Sequence, residues 1–318
     1  MNRKPLMLAV AAVSASLALS ACGSSGSSGA TAPSASSGDT VASKLIMGGP
    51  PEFKTRVDGL PGLKKNYGVV FKDFKPLDAG GPLTVQALKN GQVDVADIFT
   101  TDPSIEANGF VVLDDPKSNF AAQNVVPLIN ESKATPAVKQ ILNAISAKLD
   151  TEALGELDTK VQVDKQDPVK VADEWLAGAG IDTSASAAGV SLTVGSANFQ
   201  ENVVLADIYA AALSKAGAKV SKRLNIGSRE TYIPGLKDGS IDLIPEYSGT
   251  LLQYLDKDAT ATTPDEVYTA LQKAVPAPLT VLDKSAAQDK DAIVVTKQTA
   301  EKYDLKSIAD LANKSTEG

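Results

Sequence analysis

The sequence predicts an α/β protein of two lobes built to one plan. Three observations carry this: alternating strand-like and helix-like stretches, glycine landmarks that recur at constant spacing, and 43% apolar residues over 318 positions, enough for two cores. In residues 44–102, the apolar run Leu45-Ile46-Met47 ends in Gly48-Gly49. A helical stretch with Leu60 and Leu63 follows, then a second apolar run from Phe71 to Leu77, Gly80-Gly81, a helix, Asn90-Gly91 and a strand-like run from Val93 to Phe99. Residues 191–249 repeat the order: Leu192-Thr193-Val194-Gly195-Ser196, a helix from about Glu201 to Ala216, a strand to Ile226, Gly227-Ser228, a helix, Asp238-Gly239 and Ile241 to Tyr247. The pairs Gly48/Gly195, Gly80/Gly227 and Gly91/Gly239 lie 147, 147 and 148 residues apart. Each half is thus a strand-helix-strand-helix-strand unit. Such units build a mostly parallel sheet, and ligands gather beyond the carboxyl ends of its strands. Two lobes of this kind predict a cleft between them.

Between the halves, Val125 to Asn130 reads as a strand. Pro136 opens a helix that places Val138, Ile141, Leu142, Ile145 and Leu149 on one face. A further helix has Asp167 as N-cap, Pro168 at its first position and Gly178 at its end. Trp175, beside Val171 and Leu176 on that helix, is assigned to the core, and Tyr232 likewise.

The N-terminus has a different character. Met-Asn-Arg-Lys followed by the apolar run from Pro5 to Leu19 is the charged and apolar part of a secretory signal, too short to span a bilayer. It closes in Leu19-Ser20-Ala21-Cys22, which resembles the lipobox of bacterial lipoproteins and makes Cys22, the sole cysteine, the expected lipidation site. Residues 1–22 are therefore the signal, and residues 23–43, rich in Ser, Gly, Ala and Thr, a flexible tether. The expected location is the outer face of the bacterial cell membrane, held by the lipid anchor.

Composition narrows the function. The chain has no histidine, which removes the usual general base, the usual zinc ligand and the Ser-His-Asp and Cys-His nucleophile systems. A net charge of −7 gives no sign of a nucleic-acid partner. No GxSxG, P-loop or HExxH motif occurs, so neither a cofactor nor a metal is expected.

Four motifs carry a family resemblance: Gly195-Ser196-Ala197-Asn198-Phe199-Gln200-Glu201, Pro245-Glu246-Tyr247-Ser248-Gly249-Thr250, Arg56-Val57-Asp58-Gly59-Leu60-Pro61-Gly62-Leu63 and Ala87-Leu88-Lys89-Asn90-Gly91-Gln92-Val93-Asp94. Together they make residues 44–318 similar to the substrate-binding proteins of ABC importers for glycine betaine, choline and carnitine. The resemblance implies a two-lobe, periplasmic-binding-protein-like fold of type II with a ligand cleft between the lobes. It also implies an exported monomer that hands a small solute to a permease driven by an ATPase, and no enzyme activity. The order of the halves departs from the family: the segment like 191–312 should precede the segment like 44–181, so the chain looks circularly permuted, with 183–189 joining the family's usual termini. By the same analogy one lobe is 44–122 plus 291–318 and the other is 123–290.

Relatives hold quaternary ammonium groups in an aromatic cage, because a methylated cation cannot donate ordinary hydrogen bonds but is drawn to π faces. The resemblance carries Tyr247 and Phe99 over as cage aromatics, Arg56 to fork a carboxylate and Thr250 as a hydroxyl partner. Two cage tyrosines are replaced, by Asp291 and Gln123, and a lysine that helps hold the ligand carboxylate corresponds to Ala197. This set suits a solute of the glycine betaine, choline and carnitine class or a more polar zwitterion, with Asp291 as counter-charge or acceptor. Two other readings stay open here: a sensory or structural envelope lipoprotein on the same fold, and an extracytoplasmic enzyme using Asp291, Asp102 and Glu246.

Overall fold

The computed structural model describes residues 39–313. The expected signal peptide, Cys22 and residues 23–38 of the tether lie outside the described residues, as do 314–318.

Among the described residues, ten strands form two five-stranded sheets. β1 (Ile46–Gly49), β2 (Asp73–Pro76), β3 (Val95–Phe99) and β4 (Val111–Val112) belong to the first, and β5 (Val125–Asn130) to the second. The second sheet continues with β6 (Ser191–Gly195), β7 (Lys219–Arg223), β8 (Leu243–Tyr247) and β9 (Leu279–Val281), whereas β10 (Asp291–Val295) returns to the first. The orders are β2-β1-β3-β10-β4 and β7-β6-β8-β5-β9. In each sheet the first three strands are parallel, as the repeat predicts, and the fourth runs antiparallel to both of its neighbours, so four of the five strands share one direction and one is reversed. The reason lies in the connections: β5 and β10 each arrive from the other sheet by a crossover rather than through a helix of their own unit.

Side-chain alternation buries both faces of both sheets. Ile293 and Val295 of β10 join one cluster with Met47, Val95 and Phe53, while Ala292 and Val294 join another with Leu88, Ala96 and Ile98. In the second sheet Ile129, Val194 and Leu243 face one cluster and Val126, Leu128 and Ile244 the other. Two-sided burial explains why these strands read as continuous apolar runs.

The helices in chain order are α1 (Leu60–Tyr67), α2 (Pro82–Lys89), α3 (Ser104–Asn108), α4 (Pro136–Lys148), α5 (Thr151–Asp158), α6 (Pro168–Ala179), α7 (Gln200–Lys215), α8 (Arg229–Asp238), α9 (Ser248–Leu255), α10 (Pro264–Ala274) and α11 (Lys297–Tyr303). The Thr135 hydroxyl caps α4, whose Val138, Ile141, Leu142 and Ile145 are buried. The Asp167 carboxylate caps α6 by accepting from the Val169 and Lys170 amides. That helix runs past Gly178 and stops at Gly180, whose φ of 63° is the left-handed conformation that ends helices. Trp175 is half-buried at the rim of the core beneath it. α5 and the π-helical turn Thr159–Val163 have no counterpart in the sequence reading, and they hold a buried acid, Asp158. The two ends of the described chain meet: the Val41 amide donates to the Asn313 carbonyl at 3.0 Å.

Candidate functional site

The carboxyl ends of β1, β3, β6 and β8 open toward one region. The antiparallel strands bring their amino ends to it as well, because Asp291 is in register with Phe99 and Val125 with Tyr247. A cavity of about 400 Å³ lies there, lined by all six residues singled out from the sequence: Phe99, Tyr247, Thr250, Arg56, Asp291 and Gln123.

Arg56 opens a tight turn closed by Gly59, whose amide donates to the Arg56 carbonyl and where a Cβ would lie 2.0 Å from the Phe53 carbonyl oxygen, so glycine is required. Its guanidinium stacks 5.3 Å from the centre of the Phe53 ring and is held between two carboxylates, Nε 2.7 Å from Asp58 and Nη2 2.8 Å from Asp291. Arg56 does fork carboxylates, but they are the protein's own. A third acid, Asp97, is 1% exposed, and neither of its oxygens has a donor; Oδ1 of Asp291 has none either. Burial and then the charge of Asp291 push Asp97 well above the ordinary carboxylate range. Burial opposes the charge on Arg56, yet Asp291 and Asp58 outweigh it and raise its pKa.

The opposite wall is held by a different pair. Arg229, at the start of α8, grips Glu246 through both Nε (3.0 Å) and Nη2 (2.7 Å), and the Tyr232 hydroxyl and Tyr247 amide complete the set around that carboxylate. Four donors make burial of Glu246 tolerable. Tyr232 is both core and lining: it is 3% exposed, packs in an apolar cluster and reaches the cavity.

The aromatics form a row. The Phe99 and Phe199 rings are 5.1 Å apart, and Phe199 and Tyr247 are 5.8 Å apart. Phe199 directly precedes α7, where Asn202 ties the turn down by accepting from the Ala197 amide and donating to the Pro245 carbonyl. Phe199 lies in one of the family motifs, whereas Arg229 lies outside all four. Their common signal was position, since both follow the carboxyl end of a strand of one repeated unit.

Gln123 serves the scaffold as well as the cavity. Its side-chain oxygen accepts from the Gly249 and Thr250 amides, capping α9 from outside the helix, and its amide donates to the Thr250 hydroxyl. The approach is close: a Cβ on Gly249 would lie 2.6 Å from the Ala122 carbonyl oxygen.

Behind Tyr247 runs a second polar network. Its hydroxyl donates to Glu201, which also accepts from the Thr101 hydroxyl at 2.8 Å, while the Thr101 amide donates to Asp289. Burial and then the neighbouring acids raise the pKa of Glu201 and Asp289, and burial pushes Asp158 up to about 7. The three acids considered for catalysis do not converge: Asp102 lines a different cavity and accepts from the Ser104 amide, Glu246 is neutralised by Arg229, and Asp291 faces Arg56.

Residues 35–178 and 190–318 match the family described as the substrate-binding domain of ABC-type glycine betaine transport systems. The chain belongs to this family. As a substrate-binding domain of an ABC-type importer it works outside the cytoplasm, and among the described residues no helix is long and apolar enough to cross a membrane. Within this transport family, the glycine-betaine-binding protein of Pseudomonas aeruginosa is 33% identical over 130 residues, 40% of this chain and 41% of that protein. The carnitine transport binding protein OpuCC of Listeria monocytogenes is 31% identical over 121 residues, 37% and 39% of the two chains. The chain thus spans about two-fifths of the length of the relatives it matches. Among solved structures, the cysteine-binding protein from Campylobacter jejuni aligns with a TM-score of 0.41 at 12% identity, over 85% of this chain and 82% of that one.

Proposed function

We propose that the 400 Å³ cavity binds a small quaternary ammonium solute whose remaining groups hydrogen-bond, and that the protein delivers it to a membrane permease coupled to an ATPase. The observation that carries this reading is the aromatic row Phe99–Phe199–Tyr247 in a cavity where the Arg56 guanidinium is flanked by two carboxylates, Asp291 in the lining and Asp58 behind it. Ring faces attract a cation that has no N–H to donate, and an excess of buried carboxyls favours net positive charge on the ligand. Both cavity arginines already pair with protein carboxylates, which favours a hydroxyl-bearing cation such as choline over a zwitterion such as glycine betaine. Calorimetric titration with choline, carnitine, glycine betaine, amino acids and polyols tests this. Choline should bind tightest, and glycine betaine binding as tightly as choline would overturn the charge argument.

The circular permutation is proposed on two grounds. The family match is interrupted only at residues 179–189, and the contact of Val41 with Asn313 supports a passage that is continuous in relatives. Permutation is tolerated where native ends are close and the new break falls in a surface connection. Lobes of 44–122 plus 291–318 and 123–290, joined by two crossovers, would close over the ligand by hinge motion. Lipidation at Cys22 would hold this monomer at the outer face of the membrane through the tether.

A further inference from the structure

The Phe99–Phe199 pair that lines the first cavity also forms a wall of a second, of about 580 Å³. Its lining comes from the turn before α2, the segment after β3, the end of α5 and the start of α7. The charged residues there are Asp78, Asp102, Asp158, Glu201 and Lys165, four acids against one base among the described residues. Three of the acids have donors. Asp78 accepts from the Leu83 and Thr84 amides and the Thr84 hydroxyl, Asp102 from the Ser104 amide, and Glu201 from the Tyr247 and Thr101 hydroxyls.

Asp158 differs. It is 1% exposed, and the Glu201, Gln162 and Thr101 side chains face it without closing a well-formed hydrogen bond to either carboxylate oxygen. Burying a carboxyl without donors is costly, and such a group, in the wall of a cavity, calls for a partner that brings them. Among the described residues no group of three or more acids is arranged to hold a metal ion. An organic cation that carries its own donors fits such a group, and its type follows from the acceptors. A quaternary ammonium has no N–H to offer, whereas a primary ammonium carries three donors on one positive centre. Its alkyl part would rest against Phe99 and Phe199.

We propose that the second cavity is a binding site for a small primary amine in its ammonium form, with Asp158 as counter-charge and Glu201 beside it as a further acceptor. The site is separate from the quaternary ammonium cavity and would stand if that reading failed. The groups facing Asp158 are Glu201, Thr101 and Gln162, with Asp289 further away, and Lys165 is the cation in the same lining. Since burial raises the Asp158 carboxyl to about 7, an ammonium arriving below that pH displaces its proton into the buffer.

The test is titration calorimetry of the full chain with ethanolamine, alongside tetramethylammonium as a probe without N–H. Ethanolamine should bind with a Kd of about 1 mM or tighter, and its heat near pH 6 should change with the ionisation enthalpy of the buffer. Asp158→Asn, which keeps the shape and removes the charge, should weaken ethanolamine by about tenfold or more while Asp291→Asn, in the first cavity, leaves it within about twofold. Gln162→Lys, which adds a competing cation to the wall, should weaken it likewise and serves as an independent variant if Asp158→Asn perturbs the fold. Absence of ethanolamine heat at about 10 mM overturns the proposal. So does unchanged binding in both second-cavity variants, or loss of binding in Asp291→Asn alone.

Discussion

The Asp291 carboxylate sits 2.8 Å from the Arg56 guanidinium, joining the first residue of β10 to the turn that follows β1. With Asp58 on the other side and Asp97 behind, one guanidinium faces three buried carboxyls. Asp291→Asn removes one negative charge while keeping the shape. Calorimetry should show choline weakened by roughly 10- to 100-fold, about 1.4–2.8 kcal/mol, and glycine betaine relatively favoured. Equal weakening of both ligands would mean that the residue acts only through packing.

The aromatic row makes a second prediction. Phe199→Leu keeps an apolar side chain but removes the π face, and should cost a quaternary ammonium ligand about 0.5–2 kcal/mol, roughly 2- to 30-fold in Kd. Thermal unfolding should move little, because Phe199 is only partly buried. Unchanged affinity in this variant would remove Phe199 from the site.

Stability should fall as pH rises. Burial lifts Asp158 from 3.8 to about 7, so between those values the native protein holds a proton that the unfolded chain has released. This contribution favours the fold fully below the lower value and is lost as pH rises through the upper one. Glu201 and Asp289, also raised by burial, act in the same direction. Differential scanning calorimetry should find Asp158→Asn melting several degrees above the parent at about pH 8 and alongside it at about pH 4. The opposite order would show that Asp158 is charged and stabilising in the folded protein.

A reordered chain tests the permutation. Running residues 185–313 directly into 41–184 closes the gap between Asn313 and Val41, which are already hydrogen-bonded, and opens the 183–189 connection while keeping the buried Ala187. It should fold and bind the same solute within about twofold, since no packed element is cut. A reordered chain that fails to fold would contradict the proposed equivalence.

Much of this architecture was legible because glycines and strand ends recur at constant spacing. The β5 strand, and the α4 and α6 helices with their proline and capping starts, followed from local signals. The antiparallel turn of β5 and β10 was not legible, since strand direction there depends on crossovers rather than on local pattern. In the site, the six named residues share one cavity, but their partners were hidden. Nothing near Arg56 in sequence announces Asp291, 235 positions later, or the capping of α9 by Gln123. Asp158 escaped notice because a single acid at a helix end looks solvated until the fold buries it.

Positive charge on the ligand, rather than its shape, should decide binding. The most direct measurement compares choline with 3,3-dimethylbutan-1-ol, the neutral carbon counterpart of the same shape, by calorimetric titration of one protein preparation. Removing the charge forfeits both the attraction to the Phe99–Phe199–Tyr247 row and that to the carboxyls around Arg56. Choline should therefore bind at least about 100-fold more tightly. Equal affinity of the two compounds would contradict it.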